Sequence, residues 1–365
     1  MALNSLMSRM LKVTGKKSRA AALSQSNFIT KDIIFSSRVP IINLMLGGAI
    51  DGGVAPGVHQ VVGESRTFKT NFCLSLVRDF LDAHKEGVCL FFDTEFGAAK
   101  YFDAFGIDKD RVIHIPCENL EEMKFQMVQM IEDIGEDDKV MIFVDSVSQV
   151  ASKKEMENAL EENSAADLTR AREMNSFFRI ITPKLQIRKI PLFAVNSFYD
   201  SISNKYAEPT IKGGKQIFLS SDVILFVTRS QVKDDKDEKK LAGWSFNYSA
   251  MKSRYVKEKS KFSVVVTYAG GIDNYTGMFE LAQEAGYLRS EKQGWYNIHL
   301  GSFSAEKSWR RKDLENYEPF FEELCQNKDF KEYCFKKYSL DAGEFFEGDE
   351  DAVEIDNDTG EVIKG

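Results

Sequence analysis

The chain has 365 residues, of which 43% are hydrophobic and 28% are charged, a composition that suits a globular protein with one large core or about two to three domains. No run of about 18 apolar residues occurs, which excludes a membrane-spanning helix, and the five cysteines and four histidines lack metal-ligand spacing, so we expect reduced thiols and no zinc. The net charge of −8 does not exclude nucleic acid, because residues 341–365 hold ten acidic side chains and one lysine while the first 340 residues carry +1.

The first 31 residues contain no acidic side chain, and their apolar residues fall at helical spacing. The basic residues include Arg9, Lys12, Lys16, Lys17 and Arg19, and the apolar residues at helical spacing are Leu3, Leu6, Met7, Met10 and Leu11. A basic amphipathic helix of this kind suits an arm that docks on a partner, or alternatively an organelle transit peptide.

The middle of the chain alternates strand-like and helix-like segments. Four short apolar runs are nearly continuous, as expected for strands buried on both faces of a parallel sheet, and they span 88–95, 139–146, 191–198 and 222–229. The helix candidates between them are Asn71–Lys85, Leu120–Ile134 and Leu160–Leu185. This βαβ series predicts a largely parallel α/β sheet.

Beyond Arg229 the pattern changes. Residues 230–243 are rich in charge and predict an exposed hairpin loop, and the segments around "GWSFNYSAMKSR" and "KFSVVVTYAGG" predict antiparallel strands that extend the sheet. From about Gly301 the pattern is mixed and helical, and the acidic tail is expected to be disordered.

The stretch "VVGESRTFKT" approaches the phosphate-binding pattern G-x-x-x-x-G-K-[ST]. Gly63, Lys69 and Thr70 are present before an apolar helix candidate, but Phe68 replaces the second glycine. The lysine would neutralise β- and γ-phosphates and the hydroxyl would bind Mg²⁺. A loop with a solvated lysine is the alternative. If the site is real, the Phe68 ring has to project away from the phosphates, toward the protein or a neighbouring subunit.

Polar side chains at other strand ends favour the nucleotide site. Asp145 ends "MIFVDS", Glu95 follows "FFD", and Asn196 with Ser197 follows "LFAV". In open α/β sheets, ligands bind at the carboxyl ends of the strands. Asp145 could therefore hold a metal ion, and Glu95 could activate a water molecule.

These motifs resemble the core of RecA-type recombinases. Within that family the phrases "FFDTEFG", "VASKKEMENAL", "YVKEKSKF" and "GGIDNYTG" are similar to the recombinases of T-even-type phages, over about residues 25 to 300. In that branch a phenylalanine before the loop lysine is normal. The N-terminal helix, the C-terminal region and the acidic tail resemble the family in composition and pattern more than in identical residues.

The resemblance implies roles for individual residues. Glu95 would be the catalytic base, Thr70 and Asp145 the Mg²⁺ ligands, and Tyr101 the residue that stacks on adenine. Lys252 and Arg254 match a cation pair that reaches the ATP of the neighbouring subunit and stabilises charge there. The remaining nucleotide contacts implied are Gly63, Glu64, Ser65, Arg66, Thr67, Phe68, Lys69, Asn71 and Ser197. Ser197 stands where RecA has a glutamine and the phage relatives a histidine, and a serine is too short to reach as far.

Two segments match the family's DNA-binding loops. The first lies near Ser152–Asp167, and the second spans Phe198–Gln216. Four glutamates in the first segment argue against phosphate contact there. The DNA-contacting residues implied are Arg172, Arg179, Lys205, Tyr206, Lys212, Gly213, Gly214 and Lys215.

We therefore expect an α/β, RecA-like P-loop ATPase core at 31–285, with an N-terminal arm at 1–30, a small C-terminal region at 286–340 and an acidic tail at 341–365. The resemblance implies an ATP- and Mg²⁺-dependent recombinase that forms helical filaments on single-stranded DNA and exchanges strands with duplex DNA. Expected partners include a single-stranded-DNA-binding protein and a recombination mediator, and the expected location is the cytoplasm of a phage-infected bacterium. A ring helicase and an ATP-gated mediator without strand exchange are the alternatives.

Overall fold

A computed structural model describes residues 5–14, 18–26, 32–161, 169–199, 210–233, 240–303 and 307–342. The strands, in chain order, are β1 Gly57–Gly63, β2 Val88–Asp93, β3 Val112–Pro116, β4 Val140–Asp145, β5 Pro191–Asn196, β6 Phe198–Tyr199, β7 Thr210–Ile211, β8 Val223–Lys233, β9 Leu241–Ser253, β10 Lys261–Thr267, β11 Gly271–Ile272, β12 Leu288–Lys292, β13 Trp295–Ile298 and β14 Trp309–Arg310. The α-helices are α1 Ser5–Val13, α2 Pro40–Gly47, α3 Lys69–Ala83, α4 Leu120–Asp133, α5 Lys153–Leu160, α6 Thr169–Arg188, α7 Lys215–Ser220, α8 Met278–Glu284, α9 Arg311–Glu315, α10 Glu318–Gln326 and α11 Lys328–Tyr338.

A nine-stranded sheet forms the centre of the described part, in the order β11-β10-β9-β8-β1-β5-β4-β2-β3. The six strands from β8 to β3 run parallel, and β9, β10 and β11 continue the sheet in antiparallel fashion. The mostly parallel α/β sheet with an antiparallel extension is the predicted fold. Since the parallel strands end at one edge, the loops that follow β1, β2, β4 and β5 converge there.

Two hydrophobic clusters cover the two faces of the sheet. Alternating strand residues divide between them: Phe91, Phe143 and Phe193 lie in one cluster with α2 and α3, whereas Phe92 and Val144 lie in the other with α4 and α6. This division explains why the strand sequences are apolar at every position, because both faces are covered. The central strands are therefore fixed in register, and so are the polar residues at their ends.

The C-terminal region packs against the first of these clusters. Its small antiparallel sheet has the order β12-β13-β14, and Phe320, Phe321 and Phe330 from α10 and α11 are fully buried. Helix α1, in contrast, buries none of its residues in the single chain. None of the helices in the described ranges is both long enough and apolar enough to cross a membrane.

Several sequence expectations about element boundaries were wrong. The predicted helix Leu160–Leu185 is divided: α5 ends at Leu160, α6 runs over Thr169–Arg188, and 162–168 lie outside the described residues. A capping box between Ser152 and Glu155 starts α5 at Lys153, so part of the segment expected as a DNA-binding loop is helical.

Beyond Arg229 two further expectations need correction. Residues 230–233 and 241–243 belong to β8 and β9, so the predicted hairpin loop is shorter than expected. The sheet formed by β12, β13 and β14 was also missed, because its strands are short and exposed on one side. The acidic segment 343–365 lies outside the described residues.

Candidate active site

A cavity of about 450 Å³ opens at the carboxyl ends of β1, β4 and β5. Every residue that the sequence implied as a nucleotide contact lines it, together with Glu95. Those residues are Gly63, Glu64, Ser65, Arg66, Thr67, Phe68, Lys69, Thr70, Asn71, Tyr101, Asp145 and Ser197. The sheet thus brings groups that are more than 130 positions apart in sequence to one site.

The loop from Gly63 to Phe68 turns sharply before α3. A Cβ atom on Gly63 would lie 2.6 Å from the Val227 carbonyl oxygen, which explains the glycine there. Arg66 and Phe68 adopt left-handed backbone conformations, with φ of 64° and 66°. The Phe68 ring stacks on Phe246 at 4.8 Å, so it projects toward the protein, as the sequence required. The absent second glycine is therefore accommodated by a ring contact.

Lys69 is the loop cation, and its ammonium group donates to the carbonyl oxygen of Glu64. Burial lowers the pKa of Lys69, while the carboxylates of Glu95 and Asp145 act in the opposite direction. A phosphate group in the cavity would add negative charge beside this partly buried ammonium and favour its protonated form.

Thr70 and Asp145 form the candidate metal site. The Thr70 hydroxyl donates to Oδ2 of Asp145 at 2.8 Å, while Oδ1 of Asp145 is buried and accepts no hydrogen bond from the described residues. Burial raises the pKa of Asp145 to about 6, and the Thr70 hydrogen bond opposes that shift. A buried carboxylate oxygen without a donor, beside a hydroxyl, fits a Mg²⁺ ion held partly through water.

Glu95 is held by a serine that follows Asp145. The Ser146 hydroxyl donates to Oε1 of Glu95 at 2.6 Å, and it also lies 3.0 Å from the Ser148 hydroxyl. The Asp145–Ser146 peptide bond is cis. One carboxylate oxygen of Glu95 is thus occupied by a fixed donor, and the carboxylate has a defined orientation beside the cavity.

Strand β5 ends at Asn196, whose side-chain amide is fully hydrogen-bonded. Asn196 donates to Oε1 of Gln60 at 2.8 Å and to the Lys212 carbonyl oxygen at 2.9 Å. Its neighbour Ser197 lines the cavity with a buried hydroxyl that has no hydrogen-bond partner among the described residues. Tyr101, in contrast, is 39% exposed at the cavity rim, where a flat ring is accessible to a base.

Lys252 and Arg254 lie away from this cavity, at the amino ends of the strands. Arg254 pairs with the buried carboxylate of Asp222 at 2.9 Å, and Asp222 accepts from the backbone N–H of Val58 near the start of β1. Lys252 donates to the carbonyl oxygens of Phe218 and Leu219. Five residues at about 3.3 Å each separate Val58 from Gly63, roughly 16 Å along the strand. These cations therefore lie at the opposite edge of the sheet from the phosphate loop of their own chain.

The described residues of the implied DNA site lie close together. Arg172 and Arg179 are exposed on α6. Gly213 and Gly214 have φ of 105° and 83°, and a Cβ atom on Gly214 would lie 3.5 Å from Oδ1 of Asn175 on the same helix. Lys212 places its ammonium over the Tyr199 ring, and Lys215 begins α7. Lys205 and Tyr206 lie outside the described residues.

Three polar residues of the site were not predicted as functional. Ser148 and Gln149 line the cavity, and Arg170 donates to carbonyl oxygens of the segment that contains them. The run of polar residues after Asp145 in "VDSVSQ" was a signal for the first two. No sequence pattern identifies Arg170, because its contacts depend on where α6 packs.

Comparisons with known proteins match most of the chain. Residues 1–273 match the family model for the RecA N-terminal domain, and residues 275–334 match that for the C-terminal domain of the bacteriophage T4 recombination and repair protein. The chain is 36% identical to the "Recombination and repair protein" of Enterobacteria phage T4 over 96% of its own length and 91% of the relative's.

More distant relatives cover the core. The chain is 26% identical to "Protein RecA" of Malacoplasma penetrans over 61% of its own length and 65% of that protein's. It is 28% identical to the "DNA repair and recombination protein RadB" of Methanococcoides burtonii over 53% of its own length and 82% of that protein's.

Proposed function

The chain belongs to the RecA family, and we propose that its cavity binds ATP with Mg²⁺ while the protein assembles head to tail into helical filaments on single-stranded DNA. As a member of that family, it acts in recombination and repair as a DNA-dependent ATPase that binds DNA and assembles with copies of itself. Within the proposed filament, the bound strand pairs with homologous duplex DNA and is exchanged.

The observation that carries this proposal is the separation of the catalytic groups between two edges of the sheet. Lys69, Thr70, Asp145 and Glu95 meet at one edge, and Lys252 with Arg254 lies at the other. A head-to-tail interface juxtaposes opposite sides of successive copies, so the cations of one chain can face the phosphates of the next. Their present partners, Asp222 and two helix carbonyls, would be exchanged for phosphate oxygens.

Within one site, each residue has a distinct task. The backbone N–H groups of Gly63 to Phe68 and the ammonium of Lys69 bind the β- and γ-phosphates, and the Tyr101 ring stacks on the base. Thr70 and Asp145 would hold a Mg²⁺ ion, which would supply positive charge against the phosphates. Glu95 uses the oxygen not occupied by Ser146 to accept a proton from the attacking water, and Ser146 keeps the carboxylate oriented.

The terminal segments supply assembly and regulation in this proposal. Helix α1 is basic and exposes Leu6, Met7 and Met10, as suits the arm at 1–30 docking on a neighbouring copy. The core at 31–285 and the C-terminal region at 286–340 follow it. The acidic tail would compete with DNA for basic surface, which makes duplex binding dependent on salt.

DNA contact is proposed at Arg172, Arg179, Lys205, Tyr206, Lys212, Gly213, Gly214 and Lys215. A single-stranded-DNA-binding protein and a recombination mediator are the further partners proposed. The T4 relative supports the cytoplasm of a phage-infected bacterium as the place of action.

Electron microscopy with single-stranded DNA and a slowly hydrolysed ATP analogue tests the assembly. We expect open helical filaments of variable length. Closed rings of fixed subunit number would contradict the filament and favour a ring helicase. Filaments that never show DNA-stimulated hydrolysis of ATP would favour the mediator.

Glu95→Gln tests the catalytic base within the same assembly. The variant should still form filaments, because the phosphate loop is intact, while ATP hydrolysis falls by about 10²–10⁴-fold. Glu86→Gln is the matched control, since Glu86 is exposed and does not line the cavity. Hydrolysis at the wild-type rate in Glu95→Gln would show that another group is the base.

A further inference from the structure

Residues 147–150, which follow the cis peptide after Asp145, are fastened to α6 by one arginine. Arg170 donates from Nε to the carbonyl oxygen of Val150 at 2.8 Å, and from Nη2 to those of Val147 at 3.1 Å and Ser148 at 3.2 Å. Three acceptors from four successive residues are thus bound by one planar guanidinium group. A lysine could not match this arrangement, because its ammonium lacks the rigid fork.

The same segment reaches the candidate base. Ser148 lines the nucleotide cavity, its hydroxyl lies 3.0 Å from that of Ser146, and Ser146 donates to Oε1 of Glu95 at 2.6 Å. The far end of the segment is fixed, because Ala151 bridges to Asn119 and Ser152 caps α5. Val147 and Val150 are buried and the Val147 N–H donates to the Val195 carbonyl oxygen at 3.1 Å, while Arg170 joins the carbonyl oxygens of the segment to α6.

Helix α6 also carries the arginines assigned to DNA. Arg172 is two residues beyond Arg170 and exposed, so a phosphate bound there acts on the same stretch of helix. The other connection between the cavity and the DNA-facing residues passes through β5, where Ser197 is short and its hydroxyl contacts no described polar group. A connection through α6 does not need a long side chain at that position.

We propose that Arg170 is a positioning residue that transmits DNA binding at α6 to the carboxylate of Glu95 through Ser148 and Ser146. DNA bound at Arg172 shifts the start of α6 and, with it, the guanidinium of Arg170. The segment 147–150 follows, and the Ser148–Ser146 contact reorients Glu95 toward the attacking water. This inference rests on the proposed function, because it assumes that DNA binds at α6 and that Glu95 is the base.

The test compares ATP hydrolysis with and without single-stranded DNA in wild type, Arg170→Ala, Arg170→Lys and Ser148→Ala, beside DNA affinity with a slowly hydrolysed ATP analogue. The ratio of DNA-stimulated to basal hydrolysis should fall by about tenfold or more in Arg170→Ala, since small displacements of a catalytic group are costly. DNA affinity should change by less than about threefold, because the phosphate contacts remain. Arg170→Lys should restore only part of the ratio.

Arg188→Ala is the matched control, because Arg188 lies at the other end of α6 and also donates to a backbone carbonyl, that of Glu132. It should leave the stimulation ratio unchanged. The double variant Arg170→Ala/Ser148→Ala should be no worse than either single variant if both lie on one connection. Additive losses would overturn the relay.

Further outcomes separate the relay from the proposed function. An Arg170→Ala protein with the wild-type ratio, or one whose ratio falls only in proportion to its DNA affinity, overturns the role of Arg170. A wild-type protein with no DNA stimulation would instead contradict the proposed function. Amide exchange gives a readout without turnover: DNA should alter the protection of residues 147–150 in wild type and Arg170→Lys, and unchanged protection in wild type overturns the relay.

Discussion

His59 shows how one buried side chain sets a pH dependence of stability. Its ring stacks on Phe193 at 4.7 Å, and Nε2 lies 2.8 Å from the Ala55 carbonyl oxygen, so the neutral tautomer with a proton on Nε2 is favoured. Burial lowers the pKa of His59 from its ordinary 6.5, while Asp222 and the Ala55 carbonyl act in the opposite direction. Below pH 6.5 the unfolded chain takes up a proton that the folded chain refuses.

The free energy of unfolding should therefore fall as the pH drops below 6.5, by at most about 1.4 kcal/mol per pH unit from this residue. His59→Gln should remove that slope. In the unliganded protein, Asp145 contributes a pH dependence of the opposite sign to the free energy of unfolding, because its pKa is raised to about 6. The difference between variant and wild type in urea unfolding at pH 5.5 and 7.5 isolates His59, and an unchanged difference at both pH values would contradict the assignment.

At the scale of the element, the loop before α3 contains two residues with left-handed backbone conformations, one with an exposed side chain and one with a packed side chain. Arg66 is exposed and Phe68 is stacked on Phe246, although their φ angles differ by only 2°. A left-handed conformation costs a non-glycine residue about 1–2 kcal/mol. Substitution by glycine removes this strain, but part of the gain is lost because glycine increases the conformational entropy of the unfolded chain. Arg66→Gly should thus be neutral or stabilising by up to about 1 kcal/mol.

Phe68→Gly relieves the same strain but loses the ring contact. Burial of an aromatic side chain contributes about 2–3 kcal/mol, so this variant should be less stable than wild type by about 1–2 kcal/mol. Denaturant unfolding measures both variants, and they serve as controls for each other. A stabilising Phe68→Gly would show that the ring contact contributes little.

The elements that the sequence predicted well are those with strong local patterns. β2, β4 and β5 are continuous apolar runs because both faces are buried, and the polar residues that follow them had to meet at one edge. β3 was missed, because its five residues are mostly exposed at the rim of the sheet. The start of α6 was placed too early, because helical composition continues across two separate helices.

The contacts that connect elements had no comparable signal. Which carbonyl oxygens Arg170 reaches, or that Arg254 pairs with Asp222, follows from the packing of residues far apart in sequence. The resemblance to a family supplied Lys252 and Arg254, which no local residue pattern identified. Functional residues within local motifs were thus predictable from the sequence, whereas the contacts between distant residues required the tertiary structure.

At the scale of the whole molecule, a site shared between copies can be tested by mixing two defective chains. Glu95→Gln lacks the proposed base at one edge of the sheet, and Lys252→Ala/Arg254→Gln lacks the proposed cation pair at the other. Glutamine is chosen at 254 because it can still donate to Asp222, whose carboxylate is buried. Each protein alone should hydrolyse ATP at least about 10²-fold more slowly than wild type in the presence of single-stranded DNA.

An equal mixture should recover activity, because about a quarter of random head-to-tail contacts join an intact ATP edge to an intact cation edge. The matched control mixes Glu95→Gln with Lys69→Ala. Both defects then lie in the same cavity, every interface is impaired, and no recovery is expected. The two mixtures differ only in which edge of the sheet carries the second defect. Recovery of activity in the control mixture, or no recovery in the test mixture, would therefore contradict a shared site.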